Sequence, residues 1–357
     1  MRRGLGLREP PPWEEPGWDR SVDEWITEQL EQLGLHQTGP MEPRPRPWSI
    51  VLTIPTSGGT CYFKTTAPEM ANDAAITDAL AREAPHLVLT PMAVDPDRRW
   101  MLLPHGGTRL RDVLEEKREI GHWERILPAC AELQRGLQGR DAELGSMGAF
   151  DRRPLSLPRL LAGLLDDPEW LMIGEPGGLS EEQLRQLRDL QPRFGLACAE
   201  LEAAGIGPSI QHDDLHDGNV LVEGDGYRLI DWGDAGVAHP FATLLVTLRS
   251  VGQAFGLGEW SPFRSAAPEL DRLRDAYLEP WSDRRRPGSV SWWRSPPGRG
   301  WSAGRASGLR PCPTRPTRRS PSQEARCPAG LRSCWSRRRR EPRAAWFRPP
   351  CRSGAGR

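Results

Sequence analysis

His212-Asp213-Asp214-Leu215-His216-Asp217-Gly218-Asn219 runs straight into the apolar stretch Val220-Leu221-Val222 and, one turn later, into Ile230-Asp231-Trp232-Gly233-Asp234. The segment holds an acid at Asp214, an amide five residues on at Asn219, and a second acid twelve residues beyond that at Asp231. A fixed carboxylate can orient a hydroxyl and take its proton late in a reaction, an effect of about 10²–10⁴-fold. An amide oxygen and a second carboxylate are hard donors of the kind Mg²⁺ accepts, and that ion keeps few protein ligands when phosphates supply the rest.

The spacing fits the kinase pattern H-R-D-L-x-x-x-N followed by D-F-G, apart from two substitutions. Phosphoryl transfer asks for these parts: one acid at the acceptor hydroxyl, and an amide and an acid holding magnesium on the nucleotide. Gly218 and Gly233 are expected to let the backbone bend where side chains would obstruct it. Two other readings compete. His212 and His216 are four apart and would bind zinc if they shared a helix face. Gly218-Asn219 and the strand that follows argue instead for a loop. A polar loop without function is the third reading, and the strand and Asp231-Trp232-Gly233 make it less apt than for the octapeptide alone.

The 357 residues suffice for one large domain or two lobes with a core. The formal charge of zero averages two unlike parts. Residues 284–357 carry 20 Arg, no Lys and two acids, or +18, and the rest of the chain carries −18. So acidic a body would repel phosphates and makes a poor nucleic-acid binder. It could draw in cationic small molecules, although acidity is also an ordinary solubility device. No run of 18 apolar residues predicts a membrane span. Met1 to Gly17, rich in Pro and Glu, does not read as a signal peptide. Cys61, Cys130 and Cys198 are far apart and lack metal spacing, so a reduced, cytoplasmic compartment is expected.

Working outward, residues 1–20 read as disordered. Ser21 and Glu24 form a capping box ahead of Trp25, Ile26, Leu30 and Leu33 at helical spacing. Trp48–Thr53 and Cys61–Thr65 read as a hairpin closed by Thr56-Ser57-Gly58-Gly59. A helix is expected from about Glu69 to Arg82, then strands near Leu87–Val94 and Arg99–Leu103. Helices follow over His122–Leu137 and from the Ser180/Gln183 capping box to Ala204, the latter divided at Pro192. Strands at Val220–Glu223 and Tyr227–Ile230 flank the motif turn, and helices cover Phe241–Phe255 and Pro268–Tyr277. Beyond Asp283 the chain becomes Arg, Pro, Ser, Gly and Trp with four cysteines. Such a composition does not bury a core. It reads as a basic arm for nucleic acid, as disorder, or as a GC-rich gene translated out of frame. The abrupt break favours the last.

On His212 through Val220 and Ile230 through Asp234, the chain resembles the aminoglycoside phosphotransferase family, a branch of the protein-kinase-like fold that also holds choline kinases. The resemblance covers about residues 21–283 and is weaker over the sheet region. It implies an α+β, bilobal protein-kinase-like fold, with a small antiparallel β lobe at 21–104, a larger mostly helical lobe at 105–283 that binds the acceptor, and a tail at 284–357. It also implies transfer of the γ-phosphate of ATP or GTP to a small-molecule hydroxyl, with Mg²⁺ as cofactor. Asp214 would be the catalytic aspartate, with His212 bracing its loop. Asn219 and Asp231 would hold the metal, and His216 is typical of the family pattern. A lysine should meet the nucleotide phosphates. Only Lys64 and Lys117 exist, and Lys64 ends the second hairpin strand, as a kinase-like fold requires. Its partner acid is expected at Asp73, with Glu69 as runner-up.

Departures sharpen the expectation. No G-x-G-x-x-G precedes the hairpin; the proline-rich Arg44-Pro45-Arg46-Pro47-Trp48-Ser49 stands there, with Ser49 the candidate nucleotide contact. Asp213 occupies the position where regulated protein kinases carry Arg. Members of the resembled family often lack the glycine loop, and Asp213 favours a small-molecule kinase over a protein kinase; acidic charge near the pocket would suit an aminoglycoside-like acceptor. A nucleotide-binding pseudokinase and a nucleic-acid binder acting through the tail are the alternatives.

Overall fold

Apolar alternation organises the first hundred residues. α1 (Trp18–Gln32) presents Val22, Trp25, Ile26 and Leu30 along one face. After it come β1 (Glu42–Pro45), β2 (Ser49–Thr56), β3 (Gly59–Thr66), α2 (Asp73–Glu83), β4 (Ala93–Asp95) and β5 (Trp100–Pro104). The strands form one antiparallel sheet in the order β1-β2-β3-β5-β4. Ile50, Leu52, Ile54, Cys61, Phe63, Trp100 and Leu102 face α1, where Trp25, Phe63 and Trp100 meet edge-on with ring centroids 5.7–5.9 Å apart. The period of two then forces Met101 and Leu103 onto the opposite face, against Ala74 of α2 and Leu221 of the motif strand. Lys64 follows Phe63, so parity turns it toward the motif side.

The computed structural model describes residues 10–258 and 267–284. All of them fall within one compact unit, Met1–Pro297. The tail, with its basic-arm and out-of-frame readings, lies outside the described residues, as do residues 1–9.

From residue 10 the expected disordered segment is ordered. Pro12–Glu14 form a 3-10 turn, and Trp13 and Trp18 pack on the α1 cluster, so two indoles supply the burial that the Pro and Glu content hides. α1 begins three residues before Ser21. Its N-cap is Gly17 at φ +85°, and the Ser21 hydroxyl donates back to Gly17 O instead of capping. The helix expected from Glu69 starts at Asp73, capped by Asn72. Of the strand expected over Leu87–Val94, only the end joins the sheet as β4. Leu87 and Leu89 instead bond Leu229, tying this segment to the motif hairpin.

The second half is mostly helical. In order come β6 (Thr108–Arg109), α3 (Leu110–Glu116), α4 (Gly121–Gly136), α5 (Asp141–Ser146), β7 (Phe150–Arg152), α6 (Leu157–Leu165), α7 (Pro168–Leu171), α8 (Glu181–Ala203) and β8 (Ser209–Gln211). β9 (Val220–Glu223), β10 (Gly226–Leu229), β11 (Gly236–Ala238), α9 (Thr243–Phe255) and α10 (Pro268–Leu278) complete it. Ser180 caps α8 in a reciprocal box with Gln183. Pro192 sits inside an unbroken α8, because a proline removes one backbone bond and a 23-residue helix has many others. α4, α9 and α10 bury Trp123, Ile126, Leu127, Leu248, Leu273 and Tyr277 in one core with Val220 and Leu229. A polar knot lies within it. Gln134 Nε2 donates to Ile210 O (2.9 Å) and Thr243 Oγ1 (3.0 Å), and the Tyr277 hydroxyl is 2.6 Å from Gln134 Oε1. This knot fixes β8, the strand that leads into His212.

Candidate active site

β8 ends at Gln211, and the chain then turns through His212–Asn219 into β9; β10 returns and delivers Asp231. Two non-glycine residues of this circuit have left-handed backbone, Asp213 at φ +60° and Asp231 at φ +72°. Non-glycine residues pay about 1–3 kcal/mol for that conformation, and it collects at functional loops. These bends therefore fall on aspartates and not on Gly218 or Gly233. Gly218 is needed for room: a Cβ there would meet His216 Cε1 at 2.7 Å and Arg111 Nη2 at 3.0 Å. Gly233 has ordinary space, with the nearest atom 3.4 Å away.

Lys64, 7% exposed, brings Nζ to 2.6 Å from Asp231 Oδ1 and 2.6 Å from Asp73 Oδ2. The first contact is a hydrogen bond; the second is an ion pair off the hydrogen-bond line. Burial acts to depress the Lys64 ammonium, but Asp231 and then Asp73 outweigh it and hold it above the ordinary lysine range. The same pairing, against burial, keeps the Asp231 carboxylate below its ordinary value. Asp73 does more than neutralise. Its Oδ1 accepts from the Trp232 N–H (2.9 Å) and from Thr77 Oγ1 (3.0 Å), so the start of α2 grips the Asp231 loop directly. Glu69 lies ahead of α2, outside the helix that Asp73 opens.

Asn219, 7% exposed, donates from Nδ2 to Asp214 O (2.9 Å) and Asp214 Oδ2 (3.2 Å). The amide nitrogen is thus committed, and the oxygen is the atom left to offer a cation. Asp231 remains 46% exposed although hemmed in by protein, and Asp214 is 32% exposed. Among the described residues, no three His, Cys, Asp or Glu side chains enclose a metal by themselves. The zinc geometry fails on its premise, since His212 and His216 do not lie on a helix. His212 is buried, with Nε2 2.9 Å from Ile230 O and its ring 4.6 Å from that of Trp232. Burial holds it below the ordinary histidine range, so the neutral ring donates to the carbonyl just before Asp231.

His216 faces Asp214 Oδ2 across 3.4 Å. Burial opposes its protonation, while Asp214 and Asp217 together push it up to about 9. Yet Gly218 N–H donates to Nδ1 at 2.9 Å, which only an unprotonated nitrogen accepts. We take that bond to fix the tautomer, leaving Nε2–H toward Asp214. Burial, then Asp214 and Asp231, raise the Asp234 carboxyl to about 7.

Ser49 pairs with Thr66 at the start of β2. The proline-rich stretch from Arg44 is partly strand: β1 pairs with β2 despite Pro43 and Pro45, which an edge strand tolerates. Two cations went unread in the sequence. Arg111 of α3 donates to Asp217 Oδ1 (2.6 Å), and Arg152 of β7 bonds Asp213. Neither lies near the motif in the chain, so no local signal marks it.

An antiparallel sheet over a larger helical body, with an acid loop and an acid hairpin beneath the sheet's lysine, is a bilobal protein-kinase-like fold. The chain belongs to the phosphotransferase enzyme family, whose pattern matches residues 44–288. No curated protein matches it by sequence. Among solved structures it is similar to an ethanolamine kinase from Plasmodium vivax, at 9% identity and TM-score 0.50, over 76% of each chain. It is also similar to a choline kinase from Streptococcus pneumoniae (13%, TM-score 0.41, 73% of this chain and 89% of that one). A macrolide 2'-phosphotransferase from Brachybacterium faecium gives 16%, TM-score 0.40, and 71% and 88%. The first likeness shows the fold. No helix among the described residues is long and apolar enough to cross a membrane.

Proposed function

We propose that this phosphotransferase moves the γ-phosphate of ATP or GTP to a hydroxyl of a small molecule, with Mg²⁺ as cofactor. The observation that carries the reading is the convergence on Lys64: one buried ammonium within 2.6 Å of both Asp73 and Asp231, beside an Asn219 whose oxygen is free for a cation. Lys64 would meet the nucleotide phosphates, held straight by Asp73. Asn219 and Asp231 would hold magnesium; two hard donors are too few to enclose it, and phosphate oxygens complete such a shell. The ion, when bound, neutralises charge on the transferring phosphoryl group. Asp214 would orient the acceptor hydroxyl and accept its proton. His212 braces the loop through Ile230 and does not touch the reacting atoms. Positioning and charge neutralisation supply most of the rate in such a site.

For the acceptor, the two site loops carry Asp213, Asp214, Asp217, Asp231 and Asp234 against Lys64, Arg111 and Arg152, a net excess of acid that supports a cationic, aminoglycoside-like polyol as the first class to try. The test is transfer of labelled γ-phosphate from ATP and GTP with Mg²⁺ to aminoglycosides, macrolides, amino alcohols and sugars. Label reaching one class with native protein, and not with Asp214→Ala, is the expected result. Nucleotide bound with Mg²⁺ but no label moved to any acceptor or to water would instead mark a pseudokinase.

A further inference from the structure

Asp213 is a carboxylate at a strained position, one residue before the proposed catalytic aspartate. Regulated kinases use the opposite polarity there, an arginine that waits for a phosphate to order the loop. A carboxylate at that position needs a cation, and Arg152 supplies it. Its Nη1 donates to Asp213 Oδ2 and, at 2.8 Å, to the backbone carbonyl of Asp234. One guanidinium therefore touches both loops of the site.

The architecture around Arg152 is built to aim it. β7 pairs parallel with β11, and β11 pairs antiparallel with β8. β8 feeds the Asp214 loop, β11 continues from the Asp231 loop, and β7 carries the arginine, so three short strands hold all three parts in register. Phe150 N–H donates to Ala235 O (3.0 Å), and the guanidinium carbon lies 4.8 Å from the centre of the Phe150 ring, which limits its swing. Gly236 leaves the passage open: a Cβ there would approach Arg152 Cδ at 3.3 Å and Phe150 O at 3.1 Å.

We infer that Arg152 is a positioning residue, an internal clamp that fixes the Asp213–Asp214 loop against the Asp231–Asp234 loop and holds the site in its working geometry without any modification. The inference rests on the phosphotransfer reading for its kinetic consequence only.

The test is a double-mutant cycle of Arg152→Met and Asp213→Asn on Mg-dependent phosphate release from labelled nucleotide to water, with or without an acceptor. Arg152→Met should lower kcat about 10- to 100-fold, the scale of a small misplacement. The nucleotide KM should stay within about threefold, as for an interaction that matters only in the transition state. The double variant should be little slower than the slower single variant, since both break one link. Multiplying effects, or Arg152→Met at native kcat, would overturn the clamp. Amide exchange over residues 212–219 and 231–236 reads the clamp without turnover. Faster exchange in both segments at an unchanged melting temperature supports it, and unchanged exchange overturns it. Asp214→Asn run alongside separates the two ideas: native rates in that variant would defeat the phosphotransfer reading and leave the exchange result standing.

Discussion

Two cations grip the Asp231–Asp234 loop, one at its first residue and one at its last, and they differ in depth. Lys64 is 7% exposed and sits between two carboxylates under the large sheet. Arg152 is 33% exposed and holds one carboxylate and one carbonyl at the edge of the small sheet. Depth decides what each can contribute. A buried charge without its partner is expensive, so Lys64 is bound into stability as well as chemistry. A half-exposed pair is screened by water and adds little stability, so Arg152 can matter for geometry alone.

The largest expected effect tests the deep side. Lys64→Met leaves Asp73 and Asp231 facing each other uncompensated, and should cost about 3–5 kcal/mol in denaturant unfolding along with transfer activity. A variant as stable as the native chain would erase the contrast. Arg152→Met should cost under about 1 kcal/mol, less than its effect on rate. A stability loss equal to that of Lys64→Met would make the two centres alike.

A third prediction concerns pH, where neither cation is responsible. His239 follows β11, is 5% exposed, and is lowered by burial from 6.5 to about 4. The unfolded chain takes up this proton first. The stabilisation from neutral His239 is therefore complete above 6.5 and is lost as pH falls toward 4, about 3 kcal/mol in all. Asp234, raised to about 7, binds its proton first in the folded state and pulls the other way over the same range. The native curve should thus be flatter than either group alone would make it. The quantity to follow is the difference between native protein and His239→Gln, which should shrink as pH drops; a constant difference would contradict the assignment.

The smallest effects separate the two motif glycines. Gly218→Ala should slow transfer by displacing His216 and Arg111, whereas Gly233→Ala has room and should leave melting and rate near native. Equal behaviour would mean that space at Gly218 is not the constraint.

How far the sequence carries the fold follows from the same contrast. β2 alternates from Ile50 to Thr56 and β3 from Cys61 to Phe63, so their hairpin is legible, and with it the place of Lys64, one of two lysines in the chain. The Asp214, Asn219 and Asp231 spacing is local and equally plain. β7, β8 and β11 have three residues each, too few for any period, and pair across long stretches of chain. Arg152 is one of 46 arginines and meets Asp213 only because that sheet forms. The cap of α1 lies four residues ahead of Ser21 because Gly17 supplies it through backbone freedom, which the Ser21 and Glu24 pattern does not register. Proline hid β1 for a related reason: an edge strand can spare the N–H that a central one cannot.

The most direct measurement is transfer of labelled γ-phosphate from Mg-ATP and Mg-GTP by native protein and by Asp214→Asn, with nucleotide binding followed in both. The account predicts transfer by the native chain, a loss of about 10²-fold or more in the variant, and unchanged nucleotide affinity. Transfer at the native rate by Asp214→Asn would contradict it.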